Sequence, residues 1–208
     1  MSRAVLISIR PKWCELIASG KKTIEVRKTA PKIKTPFKCY IYETRGFERV
    51  GNENLNCVVG GNGRGAVIGE FICNQIEEIA VAFDGGSGPM KVIGGNEVWY
   101  GGMVQFLSRL STEDICRYIG GIGRKGYGWH ISAMKMYDEP LELSEFYRWY
   151  DGKTDMRPCE NGKKCDHLIF DYSEDHEACG IDYDGENCPL LKVTRPPQSY
   201  MYVEELTT

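Results

Sequence analysis

Hydrophobic and polar positions alternate along "KTIEVRK" (22–28), with Ile24 and Val26 on one face and Thr23, Glu25 and Arg27 on the other. That period of two is the mark of a half-buried strand. Just upstream the period changes. "PKWCELIASG" (11–20) carries Trp13, Leu16 and Ile17 at helical spacing, with proline in the first turn and glycine at the stop, so it predicts a short amphipathic helix. "RAVLISIR" (3–10) and "KCYIYET" (38–44) read as strands on either side of this pair. A loop is expected over 51–65, where "GNENLNCVVGGNGRG" is too polar and glycine-laden for a core element.

"AVIGEFICNQI" (66–76) predicts another strand. Counted by twos, Ile68, Glu70 and Ile72 share one face and Val67, Gly69, Phe71 and Cys73 the other. A glutamate between two isoleucines requires a partner, and Gly69 signals a bulge or a close approach by another segment. Residues 84–102, rich in glycine, read as a long loop or flap. "STEDICRYIGG" (111–121) predicts a helix capped by Ser111, with Glu113 and Asp114 at its positive end and Gly120 as its stop. "GYGWHISAMKMYDEP" (126–140) follows as a strand, placing Tyr127, Trp129 and Ile131 on one face and His130 and Ser132 on the other. "LSEFYRWY" (143–150) predicts a short aromatic turn or helix, and "SYMYVEEL" (199–206) a last strand that docks back on the sheet. Several short strands with two or three short helices between them favour an α+β chain built on a small, partly closed β-barrel over a doubly wound parallel sheet. The glycine pairs follow no phosphate-loop spacing: "GGNGRG" lacks the Lys-Ser/Thr ending of a P-loop.

Composition adds little to this picture, but charge adds more. At 208 residues, 42% hydrophobic and 26% charged, the chain has an ordinary globular make-up. No stretch approaches the roughly 20 apolar residues that cross a bilayer. The start of the chain lacks the features of a secretory leader, so the expected compartment is the cytoplasm. The net charge of −3 argues against a general polyanion binder. Its distribution is uneven, however. Residues 1–50 hold 12 Lys and Arg against 4 Asp and Glu, and residues 151–208 hold 6 against 13. One cationic surface suited to phosphate on an otherwise acidic molecule accounts for this pattern, and so does charge scattered around the fold.

Of nine cysteines, Cys14, Cys39, Cys57, Cys73 and Cys116 stand singly among apolar residues, as reduced thiols do. Cys159, Cys165, Cys179 and Cys188 cluster in an acidic segment with little apolar periodicity. Such a segment needs a staple. Three states remain open for it: a four-thiolate structural zinc site, with His167 or His176 able to replace one cysteine, free thiols, or disulfides. The division expected is a main domain over 1–150 and a Cys-rich acidic extension over 151–208 that docks on the barrel.

"GKKTIEVR" fits the G-x-K-x-x-E-x-R signature of the ASCH domain through Gly20, Lys22, Glu25 and Arg27. "LISIRPKWCELIASG" resembles that family's first strand and helix. "VIGEF" (67–71) and "GYGWHISAMKMYDEPLELSEF" (126–146) resemble its central and late strands, in the form found in bacterial and phage-encoded members. The resemblance spans about residues 3–150 and implies a PUA-like β-barrel with helices at its sides and a cleft floored by the signature strand. Members of this family are thought to bind RNA or nucleotides. Two small bacterial members are enzymes, an amidohydrolase acting on N4-acetylcytidine and a ribonuclease. The amidohydrolase's lysine falls on Lys22, but its threonine nucleophile falls on Glu25. Its glutamate is met by Glu70 if the central strands correspond.

The resemblance makes the signature strand a cleft floor, and the residue types around that floor then give a candidate ligand site of Lys22, Glu25, Arg27, Tyr127 and Trp129, with Arg10 and Lys12 extending its cationic rim. Arg27 offers a fork for phosphate or a base edge, Glu25 accepts from an exocyclic amine, and Tyr127, Trp129 or Trp99 stacks on a base. The structural alternative is that Glu25 and Arg27 pair with neighbours and brace the barrel, with Glu70 bonded to Arg27 or Lys22. If the chain is an enzyme, Lys22, Glu25 and Glu70 are its candidate catalytic groups for water-mediated hydrolysis. With glutamate where the enzyme has threonine, binding of RNA, a nucleotide or a modified nucleoside is the expected function, with hydrolysis as the alternative. A phage or mobile-element module for protein partners is the third reading.

Overall fold

Ala4–Ile7 carry no solvent exposure at all, and this apolar run makes β1 (Arg3–Ile9) a central strand of the sheet. In the computed structural model, residues 2–50, 57–83, 90–94, 101–149 and 192–206 are described. Pro11 occupies the first turn of α1 (Pro11–Ala18), which buries Cys14 and Ile17. Gly20 then takes φ +69° and its N–H bonds to Ile17 O, so the chain can reverse into β2 (Ile24–Arg27). β3 (Phe37–Glu43) returns parallel to β1.

Two long strands organise the rest: β6 (Ala66–Phe83) and β8 (Lys125–Leu141) run antiparallel along most of their length. Each edge of β6 is in use. One half pairs with β3, the other with β7 (Met90–Gly94), and β8 lies along the opposite side. The order is β2-β8-β6-β3-β1-β9, with β9 (Tyr200–Glu204) antiparallel to β1 and β7 branching from β6. Three apolar clusters fill the fold. The first, around Ile7, Phe71 and Trp129, lies under α1. The second centres on Leu6, Tyr40 and Phe146. The third joins Ile24, Val26, Ile79 and Val81 to α2 (Gly101–Ser108) and α3 (Thr112–Ile119). α3 ends as its sequence predicts, with Ser111 Oγ accepting the Asp114 N–H at 3.1 Å and Gly120 at φ +106°.

Several expectations change. Phe47–Val50 and Cys57–Gly60 pair as a two-stranded ribbon, β4–β5, where a loop was expected over 51–65. The glycines after it serve close packing: a Cβ at Gly63 would stand 1.9 Å from Thr44 O. Within 84–102, read as a loop or flap, β7 and the start of α2 form instead. The two-by-two reading of β6 fails between Ile68 and Phe71, because the pairing with β8 shifts register at Val67/Gly69 and Glu70/Ile72. Ile68 thereby joins Phe71 and Cys73 in one cluster, and Val67 goes to another. Gly69 sits at this irregularity, where a Cβ would meet Lys135 O at 2.4 Å.

The β-barrel is not closed by its ladder, since β2 and β9 are the ends of the strand order. Side chains cross that gap. The connector after β2 is fastened to the β9 side by Tyr200 Oη donating to Ala30 O at 3.1 Å, by Lys32 N–H donating to Tyr202 Oη, and by Thr29 against Ser199 at 3.3 Å. Arg27 adds two more bonds across the seam, to Ser8 O at 2.6 Å and Ser199 O at 3.3 Å.

Candidate nucleic-acid interface

A four-residue strand with every side chain buried is unusual when two of the four are charged, yet β2 reads buried throughout. Glu25 resolves the difficulty by facing two cations. Its Oε2 lies 3.2 Å from Lys22 Nζ and its Oε1 3.2 Å from Arg27 Nε. The Arg27 Nε–H points off the hydrogen-bond line, so that contact is one of charge, while the two terminal nitrogens bind the backbone across the seam. Lys22 also donates to Ile24 O at 2.9 Å and Ser108 O at 2.8 Å. Its three N–H groups are thus matched by three acceptors. Lys22, Glu25 and Arg27 are 2%, 8% and 4% exposed. Burial lowers the Lys22 pKa from its ordinary value, and Glu25 opposes that shift.

Two cations on one carboxylate leave a buried net charge of +1. Around it the surface is cationic and aromatic. Tyr118, on α3, is turned toward Arg27 and Glu25; burial raises its pKa, opposed first by Arg27, and Arg10 also acts on it. Lys28 Nζ stands 5.6 Å from the centre of the Tyr118 ring. Trp13 is flanked by Lys12 at 4.8 Å and by Lys22 at 5.3 Å. Arg10, Lys12, Lys28 and Tyr118 are exposed and Trp13 half-buried. Cations beside aromatic faces suit a phosphate with an unstacked base.

The predicted residues divide. Lys22, Glu25 and Arg27 come together as a mutually paired group, with their polar atoms directed at one another and at backbone carbonyls. Arg10 is exposed and, like Arg27, acts by its charge on the Tyr118 hydroxyl. Tyr127 is half-buried against the first core cluster. Trp129 has no exposure and packs edge-on to Phe37, with ring centres 5.9 Å apart, so it belongs to the core. Trp99 lies outside the described residues. Glu70 bonds to neither Arg27 nor Lys22: it accepts from Tyr137 Oη at 2.6 Å and pairs with Lys38 at 3.6 Å. His130 Nε2 meets the buried Glu77 at 3.0 Å.

Sequence reasoning missed Tyr118 and Lys28; Trp13, on the apolar side of α1, packs half-buried against the first core cluster. The available signal was the strongly amphipathic face of α3, on which Tyr118 is the large residue outside the Ile115–Ile119 stripe. Among the described residues no group of three or more His, Cys, Asp and Glu is placed to hold a metal, and Cys159, Cys165, Cys179 and Cys188 lie outside them. No helix among the described residues is long and apolar enough to cross a membrane.

No curated protein matches this sequence. Among solved structures, the crystal structure of the ASCH protein from Zymomonas mobilis is similar at 18% identity and TM-score 0.44, over 76% of this chain and 83% of that one. A Tyr-to-Phe variant of the same protein gives 19% and 0.45 over 76% and 86%, and a Ser-to-Ala variant 20% and 0.45 over 76% and 84%. The stretch from Ile7 to Ile79, which carries α1 and the Lys22–Glu25–Arg27 group, matches the family of the ASCH domain.

Proposed function

We propose that this is a cytoplasmic, PUA-like ASCH protein that binds RNA or a nucleotide at the surface over the Lys22–Glu25–Arg27 group. The observation that carries the reading is the buried net +1 charge beneath exposed Arg10, Lys12 and Lys28 and the aromatic rings of Trp13 and Tyr118. ASCH domains are generally RNA-binding, in keeping with this surface. In this reading the signature residues brace the site and the exposed ring of cations touches the ligand. Phosphate contacts supply affinity, and ring stacking holds a base.

Hydrolysis through Lys22 is less favoured. Its three donors are already engaged, so an acid or base role would require it to release backbone carbonyls that then stand buried and unpaired. Binding requires no such release. The test is fluorescence anisotropy of a labelled single-stranded RNA with wild type and with Arg10→Glu/Lys28→Glu, both exposed positions. A loss of roughly tenfold or more in affinity is expected, about 1.4 kcal/mol. Equal affinity in the folded variant would refute the placement.

A further inference from the structure

An open groove of about 680 Å³ lies at the other end of β1, among Arg3, Lys32, Lys34, Lys38 and Glu205. Arg3 precedes Ser8, the residue that receives Arg27, by five positions, or about 17 Å of strand. The groove is therefore separate from the surface over β2. Its walls carry four cations and one carboxylate. Glu205 and Lys38 engage one another at 2.9 Å, with Glu205 also accepting from Ser2 Oγ and Lys38 also meeting Glu70 at 3.6 Å, so Lys32 and Lys34 are the lysines left to a ligand. Lys32 and Lys34 are exposed. Ile33, Phe37 and Ile72 give the groove an apolar lining between these charges.

The connector from β2 to β3 joins the two places. It leaves the first surface at Lys28, is fastened along β9 at Thr29, Ala30 and Lys32, and reaches the groove with Lys32 and Lys34. These fastenings hold the backbone between three lysines, so less ordering is left for a ligand to impose.

From this geometry we infer that the groove of Arg3, Lys32, Lys34 and Lys38 is a second contact for a single-stranded RNA, continuous with the first surface along the 28–36 connector. The exposed Lys32 and Lys34 take phosphates, and the apolar lining takes an unstacked base, which a duplex does not present. The inference rests on the RNA reading above, and its test separates the two.

The probe is a short fluorescent oligouridine titrated across a salt series, with wild type, Lys32→Ala/Lys34→Ala and Arg10→Ala/Lys28→Ala. Loss of two phosphate contacts makes the slope of log affinity against log salt shallower by about 1.4. That change in the Lys32/Lys34 variant, with weaker binding at low salt, is the expected result. If this variant keeps the wild-type affinity and slope while the Arg10/Lys28 variant weakens, the groove is refuted and the first site stands. Absence of binding by wild type overturns both. A duplex RNA of equal length bound as tightly as the single strand overturns the assignment of the occupant.

Discussion

Replacing Glu25 by glutamine removes the one charge that Lys22 and Arg27 share and keeps the shape of the side chain. Each contact is 3.2 Å long, and at an effective dielectric of about 20 each attraction is about 5 kcal/mol before desolvation is subtracted. The amide oxygen of glutamine still accepts from one of the two cations, but both are left buried without a counter-charge and the amide NH2 is turned toward the other. The expected net loss is about 3–5 kcal/mol, as for a broken buried pair. Urea denaturation followed by circular dichroism measures it, with Glu15→Gln on the exposed side of α1 as a control expected to stay within about 0.5 kcal/mol. Adding Lys22→Met to Glu25→Gln removes one uncompensated cation and should recover part of the loss. A cost below about 1 kcal/mol for Glu25→Gln would refute the brace and leave the carboxylate free to serve a ligand.

The Lys22 pKa is lowered in the folded chain from its ordinary 10.5. Between the two values the unfolded chain holds more protons, so Lys22 makes stability rise with pH there. Wild type should gain on Lys22→Met in urea titrations as pH is raised toward 10.5, and a gap that stays constant or narrows against wild type would contradict this. Tyr118→Ala should weaken RNA binding by about 1–3 kcal/mol through lost stacking, with little change in salt slope because no phosphate contact is removed. Gly69→Ala forces a Cβ to 2.4 Å from Lys135 O and should cost at least about 1–3 kcal/mol in the same denaturation assay. Native iodoacetamide labelling read by mass spectrometry should spare Cys14, Cys39 and Cys73, which are buried, the Cys73 thiol being pushed up to about 12 by burial. For the Cys159, Cys165, Cys179 and Cys188 cluster, the four-thiolate reading predicts about one zinc per purified, reduced chain, lost in Cys159→Ser/Cys165→Ser.

Alternation and end signals carried far in this chain. Ile24 and Val26 face one cluster as their spacing predicts, Ser111 and Gly120 bound α3, and "SYMYVEEL" does return as β9. Strict counting by twos failed in β6, because the register shifts around Gly69 exchange faces, and nothing in residue type marks the exchange except the glycine itself. β7 and α2 were hidden by glycines at 94, 101 and 102, which mask short elements by removing periodic side chains. The signature strand was legible as a unit, but its orientation was not. Alternation places Glu25 and Arg27 on one face, and only the positions of Ser8, Ser108 and Ser199, distant in sequence, decide that this face looks inward. Tyr118 likewise needed the packing of α3 beside β2 to become part of a site.

The seam has a consequence for biosynthesis. β9 begins 191 residues after the end of β1 (Tyr200 against Ile9), so during translation the outer edge of β1 stays unpaired until β9 emerges. Four of its residues are wholly apolar and fully buried in the finished fold, which makes the waiting edge a template for pairing with other nascent chains. Release of the ribosome-bound intermediate before Tyr200 should give an aggregation-prone product. Overexpression at low temperature, which slows synthesis and weakens hydrophobic association alike, should raise the soluble yield of the full chain more than that of a variant in which β9 is already supplied at the amino-terminal side of β1.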